Sequence, residues 1–321
     1  MKRSIGFLVA IVTYSFAFPV FALTVSPAKI EITGDPGTTV TGEIELLNEQ
    51  EGARTFYSST ENFEPSGESG APHFIGAKDG LATWINVVGE TNLAQGDKKN
   101  IPFSISIPKD AQPGGYFAAI FLGTQPPSNT LAGGDVSVGG RIGVLVLLRV
   151  SGYVPEGGGL LDFTTSNNQR FFTKTPISFT YRLNNTGGDR IVPQGVLEIK
   201  NSLWITAAEI SANKSNGSVL PNSTRKFDTT WGESQATDSG SSFFARAGEE
   251  FSDFHFGVYT AKLNVVWGSE SHTDGKSYVF FVIPWHALLI VFLVAIVLLT
   301  LGRFGLKRYN TFIISQAMRQ K

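Results

Sequence analysis

The apolar positions of this chain follow two rules, and the first is alternation. Val40, Gly42, Ile44 and Leu46 alternate with Thr41, Glu43 and Glu45, and Ile101, Phe103, Ile105 and Ile107 alternate with Pro102, Ser104, Ser106 and Pro108. A period of two predicts strands with one buried face. Pro102 and Pro108 have no N–H to give a ladder, so they must fall at an edge or a strand end. The pattern returns in Ile177, Phe179, Tyr181 and Leu183, in Val196, Leu197 and Ile199, in Phe227, Thr229 and Trp231, and in Tyr259 to Trp267. Turn signals separate the runs: Asp35-Pro36-Gly37, Gln95-Gly96-Asp97, Gln112-Pro113-Gly114-Gly115, and Asp274-Gly275 as a hairpin turn before a strand from Ser277 to Val282. No long amphipathic helix is legible before residue 280, which leaves no crossover helices for a parallel sheet. The predicted fold is all-β, two tandem immunoglobulin-like β-sandwich domains followed by one transmembrane α-helix.

The second rule is an unbroken apolar run, from Phe280 to Leu301, followed by Arg303, Lys307, Arg308, Arg319 and Lys321 with no acidic residue among them. Such a run is long enough to span a bilayer, and its basic flank predicts a cytoplasmic tail. Trp285 falls where an indole favours the outer interface. At the other end, Lys2 and Arg3 precede an apolar stretch, Ile5 to Phe18, with Pro19 and then Val20-Phe21-Ala22. That order predicts a signal peptide cleaved after Ala22. The expected layout is a signal peptide (1–22), an outer sandwich (23–154), a Gly-rich linker (155–159), a membrane-proximal sandwich (160–279), a membrane helix (280–302) and a basic tail (303–321). The expected location is the cell membrane, single-pass, with the ectodomain outside the cytoplasm.

Composition sharpens this picture in two ways. The chain has no cysteine, so each domain must be held by its hydrophobic core, as suits a bacterial envelope protein better than a disulfide-rich ectodomain. All Asp and Glu residues lie between the two basic ends, which leaves the predicted ectodomain about eight charges negative and argues against nucleic acid as a partner.

Candidate chemistry is sparse. His73, His255, His272 and His286 fall in no nucleophile elbow or paired-His zinc motif, and no enzyme activity, cofactor or metal site is expected. Glu249, Glu250, Asp253 and His255 form the one polar cluster in which a cation could sit; the plainer reading is a solvated loop. Residues 61–79 and 235–253 read as long exposed loops. Within the second, Phe243-Phe244 is an aromatic pair in polar surroundings and a candidate partner-binding anchor. The strand Arg141 to Val150 is apolar on both faces, with Ile142, Val144, Val146, Leu148 and Val150 on one and Gly143, Leu145 and Leu147 on the other. Such a strand is either covered on both sides or reserved for a partner.

The order of signal peptide, two sandwiches, membrane helix and basic tail resembles the WxL-interacting proteins of bacterial surfaces. Local matches are Asp35-Pro36-Gly37 with Asn48, Ile101 to Pro108 ahead of Gly114-Gly115-Tyr116, Asn184-Asn185-Thr186-Gly187, Val219 to Arg225, and Gly257-Val258-Tyr259-Thr260-Ala261. The resemblance implies an outer domain directed at peptidoglycan or a surface partner and an inner one that holds a partner protein. Val25-Ser26-Pro27-Ala28-Lys29-Ile30, taken with Arg141 to Val150, also resembles a pilus chaperone domain. That second resemblance implies binding of secreted subunits by strand donation, with Val144, Val146 and Leu148 inserting.

Overall fold

The alternating runs build two sandwiches in the computed structural model, which describes residues 23–126, 140–233 and 242–319. The predicted signal peptide lies outside the described residues. The chain divides into two compact units, one built around residues 23–155 and the other around 156–319.

In the first unit one sheet has the order β1 (Leu23–Ser26), β3 (Thr39–Asn48), β8 (Lys98–Ser106), β6 (Ile85–Val87). The facing sheet runs β2 (Lys29–Gly34), β10 (Arg141–Val150), β9 (Gly114–Gly123), β4 (Arg54–Ser66), β5 (Ala71–Gly76), with β7 (Glu90–Leu93) also on β4. The one-sided alternation read from the sequence fills the space between them, with Ile44, Leu46, Ile101, Phe103, Ile105, Val144, Val146 and Leu148 all buried. A single helical turn, α1 (Leu81–Trp84), closes one end by burying Leu81 and Ala82. Pro102 lies just outside the reach of β6, which pairs only with Phe103 to Ile105, and Pro108 lies beyond the end of β8. Both prolines therefore stand where the sequence required them.

In the second unit a sheet of β11 (Gly158–Thr165), β13 (Ile177–Asn185) and β16 (Ser223–Trp231) faces one ordered β12 (Phe171–Phe172), β18 (His272–Val282), β17 (Gly257–Trp267), β14 (Gln194–Asn201), β15 (Thr206–Ser211). Phe179, Tyr181, Leu183, Leu197, Ile199, Leu263, Val265 and Phe280 form its core.

The two units repeat one plan. In each, the first strand pairs antiparallel in one sheet, and the chain then crosses to run parallel with the last strand of the other: β1 on β3 then β2 on β10, and β11 on β13 then β12 on β18. In each, the third strand, β3 or β13, ends on a fully buried asparagine. Asn48 donates its side-chain amide to the carbonyls of Gly52, Leu93 and Ala94 at 3.0–3.1 Å, and Asn185 donates to the carbonyl of Val219 at 2.9 Å. A buried amide survives only when paired, so each asparagine pins the loops at one end of its sandwich.

Four readings of the sequence need correction. Residues 61–79 are largely a hairpin, β4 and β5, that turns through Gly67 and Gly70 at φ 55° and 75°. The segment 235–253 contains a helix, α2 (Phe243–Ser252), with residues 234–241 outside the described set. The β17–β18 turn falls at Gly268–Ser271 and not at Asp274-Gly275, which lie within β18. Asp274 instead accepts the N–H of Leu160 at 3.1 Å and the indole N–H of Trp267 at 2.8 Å, a role that keeps an acidic residue inside a strand. Finally, the apolar run is two elements. Phe280 and Val282 belong to the core of the second unit, and the helix α3 begins only at Trp285 and extends to Arg319. Pro284 ends the strand, and its carbonyl accepts the N–H of Leu288 at 3.0 Å as the first helical bond.

Candidate partner-binding edge

The last strand of the first unit carries the arrangement best suited to bind another chain. β10 is paired along its whole length with β9, from Arg141 opposite Gly123 to Val150 opposite Gly114. Its other side is covered only from Leu145 onward, where β2 runs parallel to it from Lys29 to Gly34. The reason is local. Pro27 stands where the chain leaves β1 for the opposite sheet, so β2 cannot begin earlier than Lys29. The N–H of Leu145 donates to the carbonyl of Ala28 and that of Ser151 to the carbonyl of Gly34, both at 3.0 Å. Backbone groups alternate sides along a strand, so the odd-numbered residues face β2. Among the described residues, Arg141 and Gly143 therefore face an edge with no pairing strand.

The surroundings of this edge are apolar on both faces of the sheet. On the core side Val144 is fully buried and Ile142, half-buried, packs at the margin of the core. On the outer side Phe63, Phe74, Phe117 and Phe121 form a chain of ring contacts, with centroids 6.1 Å apart for Phe63 and Phe74, 5.9 Å for Phe63 and Phe117, and 4.8 Å for Phe74 and Phe121. The Arg141 guanidinium lies 3.9 Å from the centre of the Phe121 ring and pairs with the carboxylate of Glu61. Gly143 makes the stacking possible, because a Cβ there would come within 2.9 Å of Phe121 Cε1. The second apolar face of β10 is thus partly roofed by the aromatic cluster, and Leu147, opposite Phe117 on β9, is buried.

This geometry revises the residues expected to insert into a partner. Val144, Val146 and Leu148 are fully buried in the core of their own sandwich, and Val146 and Leu148 lie on a stretch flanked on both sides by strands. They are not free to leave it. The groups available at the edge are the backbone of Arg141 and Gly143 and the side chain of Ile142. Sequence alternation identified the strand but could not show where its neighbour begins.

The other candidates are dispersed. Phe243 and Phe244 are on α2 and not in a loop. Phe243 packs on Trp285 and His286, with centroids 6.0 and 5.2 Å away, whereas Phe244 points outward and is 76% exposed. Of the acidic cluster, Glu249 pairs with Lys174, Asp253 accepts from Thr175 and lies 3.1 Å from His255, and Glu250 turns inward to His286. Among the described residues no group of three or more His, Asp or Glu side chains is placed to hold a metal ion. His73 pairs with Glu64, and His272 lies 3.4 Å from Glu156. Trp285 opens α3, and Arg303, Lys307 and Arg308 are exposed along it. Residues 285–313 are long and apolar enough to cross a membrane.

No protein-family model matches the chain, and no curated protein resembles it in sequence. Among solved structures it is loosely similar to the class 5 fimbriae chaperone CfaA, at 12% identity with 81% of this chain and 99% of that one covered and a TM-score of 0.38. A structure of the chaperone–tip adhesin complex of CFA/I fimbriae biogenesis matches at 10% identity, 82% and 99% coverage and the same TM-score. The CsuC–CsuE chaperone–tip adhesion subunit complex of Acinetobacter baumannii matches at 13% identity, 64% and 89% coverage and a TM-score of 0.34. Overlap this loose does not define a shared fold. The assignment as paired immunoglobulin-like sandwiches rests on the strand order above.

Proposed function

We propose that this chain is a membrane-tethered binding protein of the bacterial envelope that holds a protein partner by strand addition at the Arg141–Val144 edge. The observation that carries the reading is the late start of β2, which leaves two residues of an otherwise central strand without a pairing strand among the described residues. An extended segment laid there gains main-chain hydrogen bonds, and its alternate side chains meet Ile142 on one face and Phe121 on the other. The helix α3 supplies the tether. From Trp285 to Arg303 it rises about 27 Å, close to the hydrocarbon thickness of a bilayer. On this reading both units face away from the cytoplasm and Arg303, Lys307 and Arg308 into it.

The resemblance to WxL-interacting proteins supports the same general role with a different ligand, since it directs the outer unit to peptidoglycan or a surface protein. The edge favours a polypeptide, because main-chain pairing has no counterpart in a glycan. Co-sedimentation with peptidoglycan separates the two. Saturable binding that survives an Ile142→Asp substitution would support the wall, whereas loss of a captured protein in that variant, without wall binding, supports the edge.

A further inference from the structure

Among the described residues, the most exposed apolar side chains of the second unit's larger sheet and its turns gather at one end, and the strand register shows which end. Asn201 lies opposite Tyr259, and Gly257 opposite Val282, three residues before α3 begins at Trp285. The turn between β14 and β15 is therefore on the side where the membrane helix leaves. That turn presents Leu203, Trp204 and Ile205, exposed by 74%, 76% and 59%. It is built, not loose. The Asn201 side-chain oxygen accepts the N–H groups of Leu203 and Ile205 at 2.9 and 3.0 Å, and Trp204 is held at φ 61°. A bulky residue in the left-handed region carries strain, and here the strain keeps an indole in solvent.

A second apolar surface sits at the same end. α2 lies across the first turn of α3, because the buried carboxyl of Glu250 meets His286 Nδ1 at 2.6 Å and accepts the N–H of Ala287 at 2.9 Å. The polar contact points inward, and the helix turns Phe244, Gly248 and Phe251, at i, i+4 and i+7, outward. Phe256, next to Gly257, is 58% exposed as well.

We infer that the second unit seats itself on the bilayer surface, with the Leu203–Ile205 turn and the outer face of α2 inserted into the interfacial region of the leaflet that α3 enters. The inference rests on α3 crossing a membrane. The occupant is lipid and not protein because α2 packs on the first turn of that helix and the Leu203–Ile205 turn lies at the same end of the sheet, where aromatic side chains favour the interface and an amphipathic helix can lie in its plane. The consequence is mechanical. A domain held at several points cannot swivel freely on one helix, so the tether also orients the unit.

The absence of cysteine makes the test direct. Single cysteines are placed in the full chain at Ser202 and Gly248 beside the proposed anchors, at Glu270 in the far turn of the β17–β18 hairpin, about 33 Å up the strands, and at Leu298 in α3. Each is labelled with an environment-sensitive fluorophore and reconstituted into phosphatidylcholine–phosphatidylglycerol vesicles with or without brominated acyl chains. The inference expects quenching and blue-shifted emission at positions 202, 248 and 298 and none at 270. Quenching at 298 alone overturns the seating while leaving the span intact, and points to a protein as the occupant. No quenching at 298 overturns the span and the seating together.

Discussion

Glu250 gives the sharpest quantitative test of the membrane-proximal end. Its carboxyl group is 1% exposed and makes two contacts, to the His286 ring and to the N–H of Ala287, one of the otherwise unpaired donors in the first turn of α3. A Glu250→Ala substitution leaves both groups buried without that partner. Loss of such contacts costs about 3 kcal/mol, and at 1.4 kcal/mol per decade the equilibrium for lifting α2 off α3 rises about 100-fold. Hydrogen exchange on the full chain in nanodiscs reads this directly. Amides of Ala247 to Ser252 should exchange about 100-fold faster in the variant, and about tenfold faster in Glu250→Gln, which keeps one acceptor. Amides of Leu263 and Phe280, in the core of the same unit, should not change. Less than a threefold effect on α2, or an equal loss of protection in β17 and β18, would refute the view that Glu250 fastens α2 locally.

Further outcomes follow from other contacts. In the first unit, the amides of Arg141 and Gly143 should exchange much faster than those of Leu145 and Leu147, whose N–H groups face β2; uniform protection along β10 would show that the edge is covered. Asn48→Ala should destabilise the first unit by about 2–3 kcal/mol, since it removes side-chain donation to the carbonyls of Gly52, Leu93 and Ala94, and Asn185→Ala should destabilise the second by about 1 kcal/mol, since the Val219 carbonyl it serves keeps the N–H of Ile191, both measured by denaturant unfolding; a change below about 0.5 kcal/mol in either would contradict the pinning role. Burial pushes Glu156 up, but hydroxyl and N–H donation by Ser269, N–H donation by Glu270 and the nearby His272 ring outweigh it and hold its carboxyl below the ordinary 4.5. A depressed folded value means that stability is fully present above about 4.5 and lost as pH falls through the folded value. Glu156→Gln should therefore flatten the acid limb of the second unit's stability profile; an unchanged limb would rule the contact out as a source of acid sensitivity.

The sequence disclosed what periodicity controls. Alternation at Ile44, Leu46, Ile101 and Phe103, and again at Phe179, Tyr181 and Leu183, fixed both the architecture and the cores, because one buried face demands one residue in two. It did not disclose pairing partners. Nothing in Val144-Leu145-Val146 reveals that β2 begins opposite Leu145, since that depends on where Pro27 sends a strand more than a hundred residues earlier. The helix α2 is hard to read from sequence because Phe244 and Phe251 face outward while a carboxylate, Glu250, shares the buried face with Phe243 and Ala247, which blurs the usual pattern. The spacing of Phe244, Gly248 and Phe251 was the signal that could have found it. Asp274-Gly275 misled for a related reason. Its turn chemistry was overridden by the bonds that Asp274 makes to Leu160 and Trp267.

The strand-addition account is tested most directly by a photoreactive benzoylphenylalanine placed at Ile142 in the full chain, cross-linked in native membranes beside a control at His73 on β5, at the opposite edge of the sheet. The account expects a discrete adduct from position 142 alone, and the cross-linked peptide to alternate apolar and polar residues as an added strand must. Adducts of equal yield from both positions, or none from position 142, would contradict it.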